Sequence, residues 1–110
     1  MNNIYFTCRH YSSNVTIPDN VTHLTILNAS EPLVGIPDTV VDVILGHDFN
    51  QPIVFPPTTA RITFGRLYNQ PTNLPTTTTH LTFGYNYNQP TDFPATITHI
   101  TFGNIYNQPA

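Results

Sequence analysis

Apolar and polar residues alternate with a period of two in five short runs, at 22–26, 41–45, 60–64, 79–83 and 98–102. The third and fifth positions, such as Leu24 and Ile26, are apolar in every run. The second and fourth, such as His23 and Thr25, are mostly polar, which is the signature of a strand with one buried face. β-Branched and aromatic residues dominate, as a pleated surface prefers, so five strands are predicted. Ile4-Tyr5-Phe6-Thr7-Cys8 alternates similarly and predicts a sixth. Phe6 lies 20 residues before Ile26, which puts this run one residue out of phase with the others.

The spacing of these runs is fixed. Asn-Gln-Pro starts at Asn50, Asn69, Asn88 and Asn107, and an apolar-Pro pair recurs at Ile17-Pro18, Ile36-Pro37, Phe55-Pro56, Leu74-Pro75 and Phe93-Pro94, each step being 19 residues. A constant period of this size marks a stack of equivalent coils. The units are 17–35, 36–54, 55–73, 74–92 and 93–110, after an N-terminal cap coil at 1–16.

Subtracting a five-residue strand from each unit leaves 14 residues to return and start again. Identical strands joined this way run parallel, since a parallel pair needs a crossover of roughly a dozen residues. Pro52 with Pro56, Pro71 with Pro75 and Pro90 with Pro94 bar a helix from that return. The return arc is therefore extended, with polyproline II character. Gly46, Gly65, Gly84 and Gly103 follow their strands directly, where a sharp turn at positive φ is expected. The prediction is a helix-free, right-handed parallel β-solenoid of leucine-rich-repeat type.

Stacking places equivalent side chains about 4.8 Å apart in columns. Val40, Val43, Leu45, Phe49, Ile53 and Phe55 are the expected inward residues of one coil. Ile62, Phe64, Leu67, Tyr68 and Leu74 are those of the next. Tyr68, Tyr87 and Tyr106 share a core column with Phe49. Asn50, Asn69, Asn88 and Asn107 are expected to form a structural ladder of buried amides bonding coil to coil.

Composition narrows the function. Charged residues are only 8% of the chain, and 3 Lys+Arg against 6 Asp+Glu give a net charge of −3. Nucleic acid is excluded as a partner, because phosphate binding needs clustered cations. The apolar runs are too short to span a bilayer. Residues 1–16 lack the apolar core of a signal peptide, so residence in the cytoplasm is expected. Asn14-Val15-Thr16, Asn20-Val21-Thr22 and Asn28-Ala29-Ser30 are then formal sequons only. The single Cys8 closes no intrachain disulfide.

Two polar columns face outward on the strands. One holds His23, Asp42, Arg61, His80 and His99; the other holds Thr25, Ile44, Thr63, Thr82 and Thr101. Adjacent His80 and His99 are close enough to share zinc or copper, but two ligands without a third make a poor site. A Thr ladder could bind ice, yet Ile44 interrupts it and its neighbours are His, Asp and Arg. Catalysis finds no footing: no group orients Cys8 and His10, and no phosphate loop, paired-carboxylate or cofactor motif is present. At the other end, Ile100, Phe102 and Tyr106 lack a polar cap before Pro109-Ala110. End-to-end self-association through this coil, as a homodimer, is expected. The alternative is a longer array of which this is a piece.

The apolar-Pro pairs from Ile17-Pro18 to Phe93-Pro94, the Leu-Thr-Phe-Gly strand end and the Tyr-Asn-Gln-Pro segment together resemble the FNIP repeat, a short relative of the leucine-rich repeat. Val21-x-x-Leu24-x-Ile26 also matches the strand signature of leucine-rich repeats. The unit is shorter than is usual for the family, and Ser30-Glu31-Pro32 stands where later coils have Asn-Gln-Pro. Members occur in social amoebae and large DNA viruses, which implies host cytoplasm if the source is viral. Some carry an F-box, and nothing here matches one. The resemblance implies a solenoid that binds other proteins. The functional expectation is a non-catalytic scaffold for a protein partner, with no cofactor, presenting its outward strand face. A purely structural or self-assembling module is the alternative.

Overall fold

The computed structural model describes residues 3–108. Six strands form one sheet in chain order: β1 (Tyr5–Cys8), β2 (His23–Ile26), β3 (Asp42–Leu45), β4 (Arg61–Thr63), β5 (His80–Thr82) and β6 (His99–Thr101). Every neighbouring pair is parallel. No helix is present among the described residues, so none is long and apolar enough to cross a membrane. The protein is a β-solenoid, and Leu24, Val43, Ile62, Leu81 and Ile100 stand side by side across five strands. Pro109 and Ala110, on which the expectation of an uncapped end partly rested, lie outside the described residues.

Each coil has two corners. Before the strand, a turn starts at the proline of the apolar-Pro pair, as in Val40 N–H to Pro37 O at 3.1 Å and Thr78 N–H to Pro75 O at 3.1 Å. Proline fixes φ there and has no N–H to lose. After the strand, a second turn starts at glycine, with Phe49 N–H donating to Gly46 O at 3.2 Å and Tyr87 N–H to Gly84 O at 3.4 Å.

That glycine column corrects the sequence reading. Gly46, Gly65, Gly84 and Gly103 do not have positive φ. They are small because a Cβ on Gly46 would lie 2.5 Å from the Leu27 carbonyl oxygen. At the next three the preceding glycine's carbonyl would be closer still. Positive φ belongs to Gly35 alone among the described residues, at 74°. Leu33 bridges to Ile53, a step of 53 − 33 = 20, whereas the flanking strands pair at 42 − 23 = 19. Coil 17–35 therefore holds one extra residue between Leu33 and Pro37, and Gly35 absorbs it.

The cap coil is also shifted in the direction opposite to the one expected. Phe6 pairs with Leu24 and Cys8 with Ile26, a step of 26 − 8 = 18, so this coil is one residue short. Leu67 is a second correction: it sits in the turn after Gly65, where the chain bends outward, and is 37% exposed. Phe55, Leu74 and Tyr106 are half-buried, and the other assigned inward residues are buried.

Aromatic rings fill the later coils as a continuous stack. Phe64 lies against Tyr68 at 4.3 Å between centroids and Phe83 against Tyr87 at 4.0 Å. Tyr68 and Tyr87 are then 6.0 Å apart and nearly parallel at 6°. Such pairs add about 0.5–1.5 kcal/mol each beyond the area they bury. Tyr68 Oη lies 2.8 Å from Thr72 Oγ1, and because Thr72 donates to the Gln70 carbonyl, the phenol is the donor. Burial pushes the Tyr68 phenol up to about 12, the Thr72 bond acting the other way.

A hydroxyl ladder at the proline corner was not foreseen. Thr39, Thr58, Thr77 and Thr96 donate to the carbonyls of Val21, Val40, Thr59 and Thr78 in the preceding coil, at 2.7–2.9 Å. Next to it, Thr59 and Thr78 occupy the buried column of Val21 and Val40, and their own hydroxyls have no partner. An orphaned buried hydroxyl costs about 1–3 kcal/mol. Thr78→Val should therefore raise unfolding stability by about 1–2 kcal/mol in a denaturant titration.

Candidate functional site

Strand pairing assembles the outward face in two columns. The first runs Tyr5, His23, Asp42, Arg61, His80, His99, and the second Thr7, Thr25, Ile44, Thr63, Thr82, Thr101. Tyr5 and Thr7 extend the face beyond the residues assigned from sequence. Tyr5 is 71% exposed, and its ring lies 4.6 Å from that of His23. The signal for it was the cap strand's own alternation, obscured by the short first step.

The histidines are held by their neighbours. Thr22, Thr79 and Thr98 each place Oγ1 2.9 Å from Nδ1 of the following His23, His80 and His99. The His80 and His99 rings stack at 4.3 Å and 7°. Parallel rings point their nitrogen lone pairs side by side instead of at one point, a poor geometry for chelation. No group of three or more metal-ligating side chains occurs among the described residues. Partial burial, then Arg61 and His99, hold the His80 imidazole below its ordinary value.

Between the columns lies a shallow depression of about 240 Å³, lined by Asp42, Arg61 and His80 around Ile44, Thr63 and Thr82. Ile44 is 45% exposed. The one ion pair among the described residues is His47 with Asp48, outside this face. Asp42 and Arg61 therefore present their charges unpaired. Ile44 breaks the threonine column and the other column carries rings and charges, so the face is not a uniform hydroxyl lattice.

The asparagine column is a surface clasp. Asn50, Asn69 and Asn107 are exposed and Asn88 half-buried, which corrects the expectation of buried amides. Asn50 Oδ1 accepts from the Asn69 N–H and from Gln70 Nε2, both at 3.0 Å. Asn69 does the same for Asn88 and Gln89, and Asn88 for Asn107 and Gln108. The glutamine half was missed, although Gln70, Gln89 and Gln108 recur with the same period. Each Asn Oδ1 from Asn50 to Asn88 is thus taken up by the next coil, which makes the column a structural element. Ile100, Phe102 and Tyr106 line an open hollow on the last described coil. Cys8 is buried in the core while His10 is exposed.

The FNIP Repeat family model matches residues 49–86 and again 68–105, so two overlapping matches cover the coils that carry the glycine corner and the Asn-Gln clasp. The chain belongs to the FNIP-repeat family. Its FNIP coils also resemble a solved structure described as "The crystal structure of CroV588 a novel circular LRR protein structure", with a TM-score of 0.59 and 24% identity. The match covers 84% of this chain and 19% of that one, and at this identity it speaks for the fold alone. No curated protein matches the sequence.

The lowered His80 value sets the sign of a pH effect. A base held below its unfolded value binds fewer protons when folded, so stability rises with pH through that range. Acidification should cost stability from about the ordinary imidazole value of 6.5 downward. Melting temperatures at pH 8 and pH 5 should differ less in His80→Gln than in the parent.

Proposed function

We propose that this FNIP-repeat protein is a non-catalytic scaffold that docks a protein partner on its outward strand face. The observation that carries this is Asp42, Arg61 and His80 standing on three adjacent strands along one depression that the exposed Ile44 also lines, with neither Asp42 nor Arg61 in an ion pair. Interfaces combine such an apolar centre with fixed polar groups at its margin. Arg61 is suited to a carboxylate or carbonyl of the partner, Asp42 to a cation. The stacked rings of His80 and His99 offer a flat surface beside them.

Fold alone does not determine function, so support comes from these side chains. Capture from lysate of the source cell with the immobilised chain tests the reading. A partner held by the parent and by Val54→Ser, a control on the exposed return arc, should drop at least about tenfold with Arg61→Ala and with His80→Ala. Equal recovery with all four proteins would remove the strand face from consideration.

A further inference from the structure

Arg61, His80 and His99 stand next to one another on the outward face, on β4, β5 and β6, at the strand spacing of about 4.8 Å per step. This face runs along the side of the sheet, so its exposure does not depend on either end of the array. The other titratable or charged groups of that column are Tyr5, His23 and Asp42. The adjoining column, from Thr7 to Thr101, carries none among the described residues.

The two imidazoles are mounted so that each takes a proton without leaving the strand. His80 Nδ1 lies 2.9 Å from Thr79 Oγ1, which is itself 3.2 Å from the Ala60 carbonyl oxygen. His99 repeats this with Thr98 Oγ1 and the Thr79 carbonyl, at 2.9 and 3.2 Å. In a charged ring both nitrogens are donors. Nδ1–H then donates to Oγ1, and the hydroxyl passes its own hydrogen to the carbonyl. Every group behind the ring stays paired, and Nε2–H, which has no partner among the described residues, is left for a ligand.

What opposes the charge is the company it keeps. The rings stack at 4.3 Å beside Arg61 on the next strand, so full protonation puts two imidazoliums and a guanidinium in one row. Like charges this close favour release of the proton unless an anion lies across them. The held-down His80 imidazole agrees with that repulsion. The complement of the row is therefore a run of carboxylates, taken up together with protons. Asp42, one strand before Arg61, repels a carboxylate at its own place and limits the run to three positions. A phosphate backbone, which needs a longer cationic track, fits so short a row poorly.

We infer that Arg61, His80 and His99 bind an acidic segment of the protein partner and that this binding strengthens on acidification. The inference rests on the reading of the strand face as a docking surface and names the chemistry of what docks there. Linkage is reciprocal, so the bound segment raises the affinity of both rings for protons.

Fluorescence anisotropy of labelled hexaglutamate with the full chain, at low ionic strength, tests this. The dissociation constant should fall at least about tenfold from pH 8 to pH 5. His80→Gln and His99→Gln should each lose about half of that span or more on a logarithmic scale, and Arg61→Ala should weaken binding at both values. His10 and His47 also charge in this range; His47→Gln is the control and should keep the whole span. In proton spectra of the parent, added hexaglutamate should move the His80 and His99 titrations to higher pH and leave that of His47 in place. Absence of binding at pH 5, equal affinity at both values, a span intact in both ring variants, or oligothymidylate bound as tightly as hexaglutamate would overturn the inference. None of these outcomes touches the capture of a partner from lysate, which fails only on equal recovery with the Arg61→Ala and His80→Ala chains.

Discussion

At the corner after β3 and each later strand, consecutive coils approach so closely that no side-chain carbon fits between their backbones. The carbonyl of Gly46 occupies the place where Gly65 would carry Cβ, and the relation repeats from Gly65 to Gly84 and from Gly84 to Gly103. This contact sets how far each coil can settle on the one before it. With the corner seated, the strands lie at pairing distance and the equivalent residues of successive coils meet.

The other ladders depend on that seating. Asn Oδ1 reaches the next coil's Asn N–H at 2.9–3.0 Å only if the coils are in register to a few tenths of an ångström. The Thr39 series at the opposite corner does the same with hydroxyls. Between the two corners, the Phe64, Phe83 and Phe102 rings stack at 5.3–5.7 Å, within the range for offset aromatic pairs. A surface built this way repeats one spacing over its strands, and it holds Asp42, Arg61 and His80 in a row with Asp42 and Arg61 in no ion pair. The same economy of charge leaves the interior free of ion pairs among the described residues, and hydrogen-bonded amides and hydroxyls carry contacts between coils.

Much of this was legible in the sequence because a fixed period converts positions into columns. All six strands, the inward Val43 and Ile62, the Asn series and the two outward columns follow from counting in steps. What was hidden involved departures from the period or distances that counting does not give. The cap coil's short step reversed the phase assigned to Phe6, and the extra residue near Gly35 was masked because the proline pairs on either side kept their spacing. Leu67 was assigned inward from its apolarity, whereas its place in the turn after Gly65 sends it outward. The role of the glycines was read as conformational because steric approach between coils is invisible in a string of letters. Gln70, Gln89 and Gln108, and the Thr39 series, repeat as regularly as the asparagines, but nothing in their spacing says which carbonyl they reach.

Equilibrium unfolding of Gly84→Ala tests the close approach most directly. Gly84 does not have positive φ, so loss of chain entropy in the unfolded state alone would make alanine stabilising by about 0.4–1 kcal/mol. Collision with the Gly65 carbonyl instead predicts a loss of at least about 2 kcal/mol. An alanine variant as stable as the parent, or more so, would contradict the dependence of the whole stack on that corner.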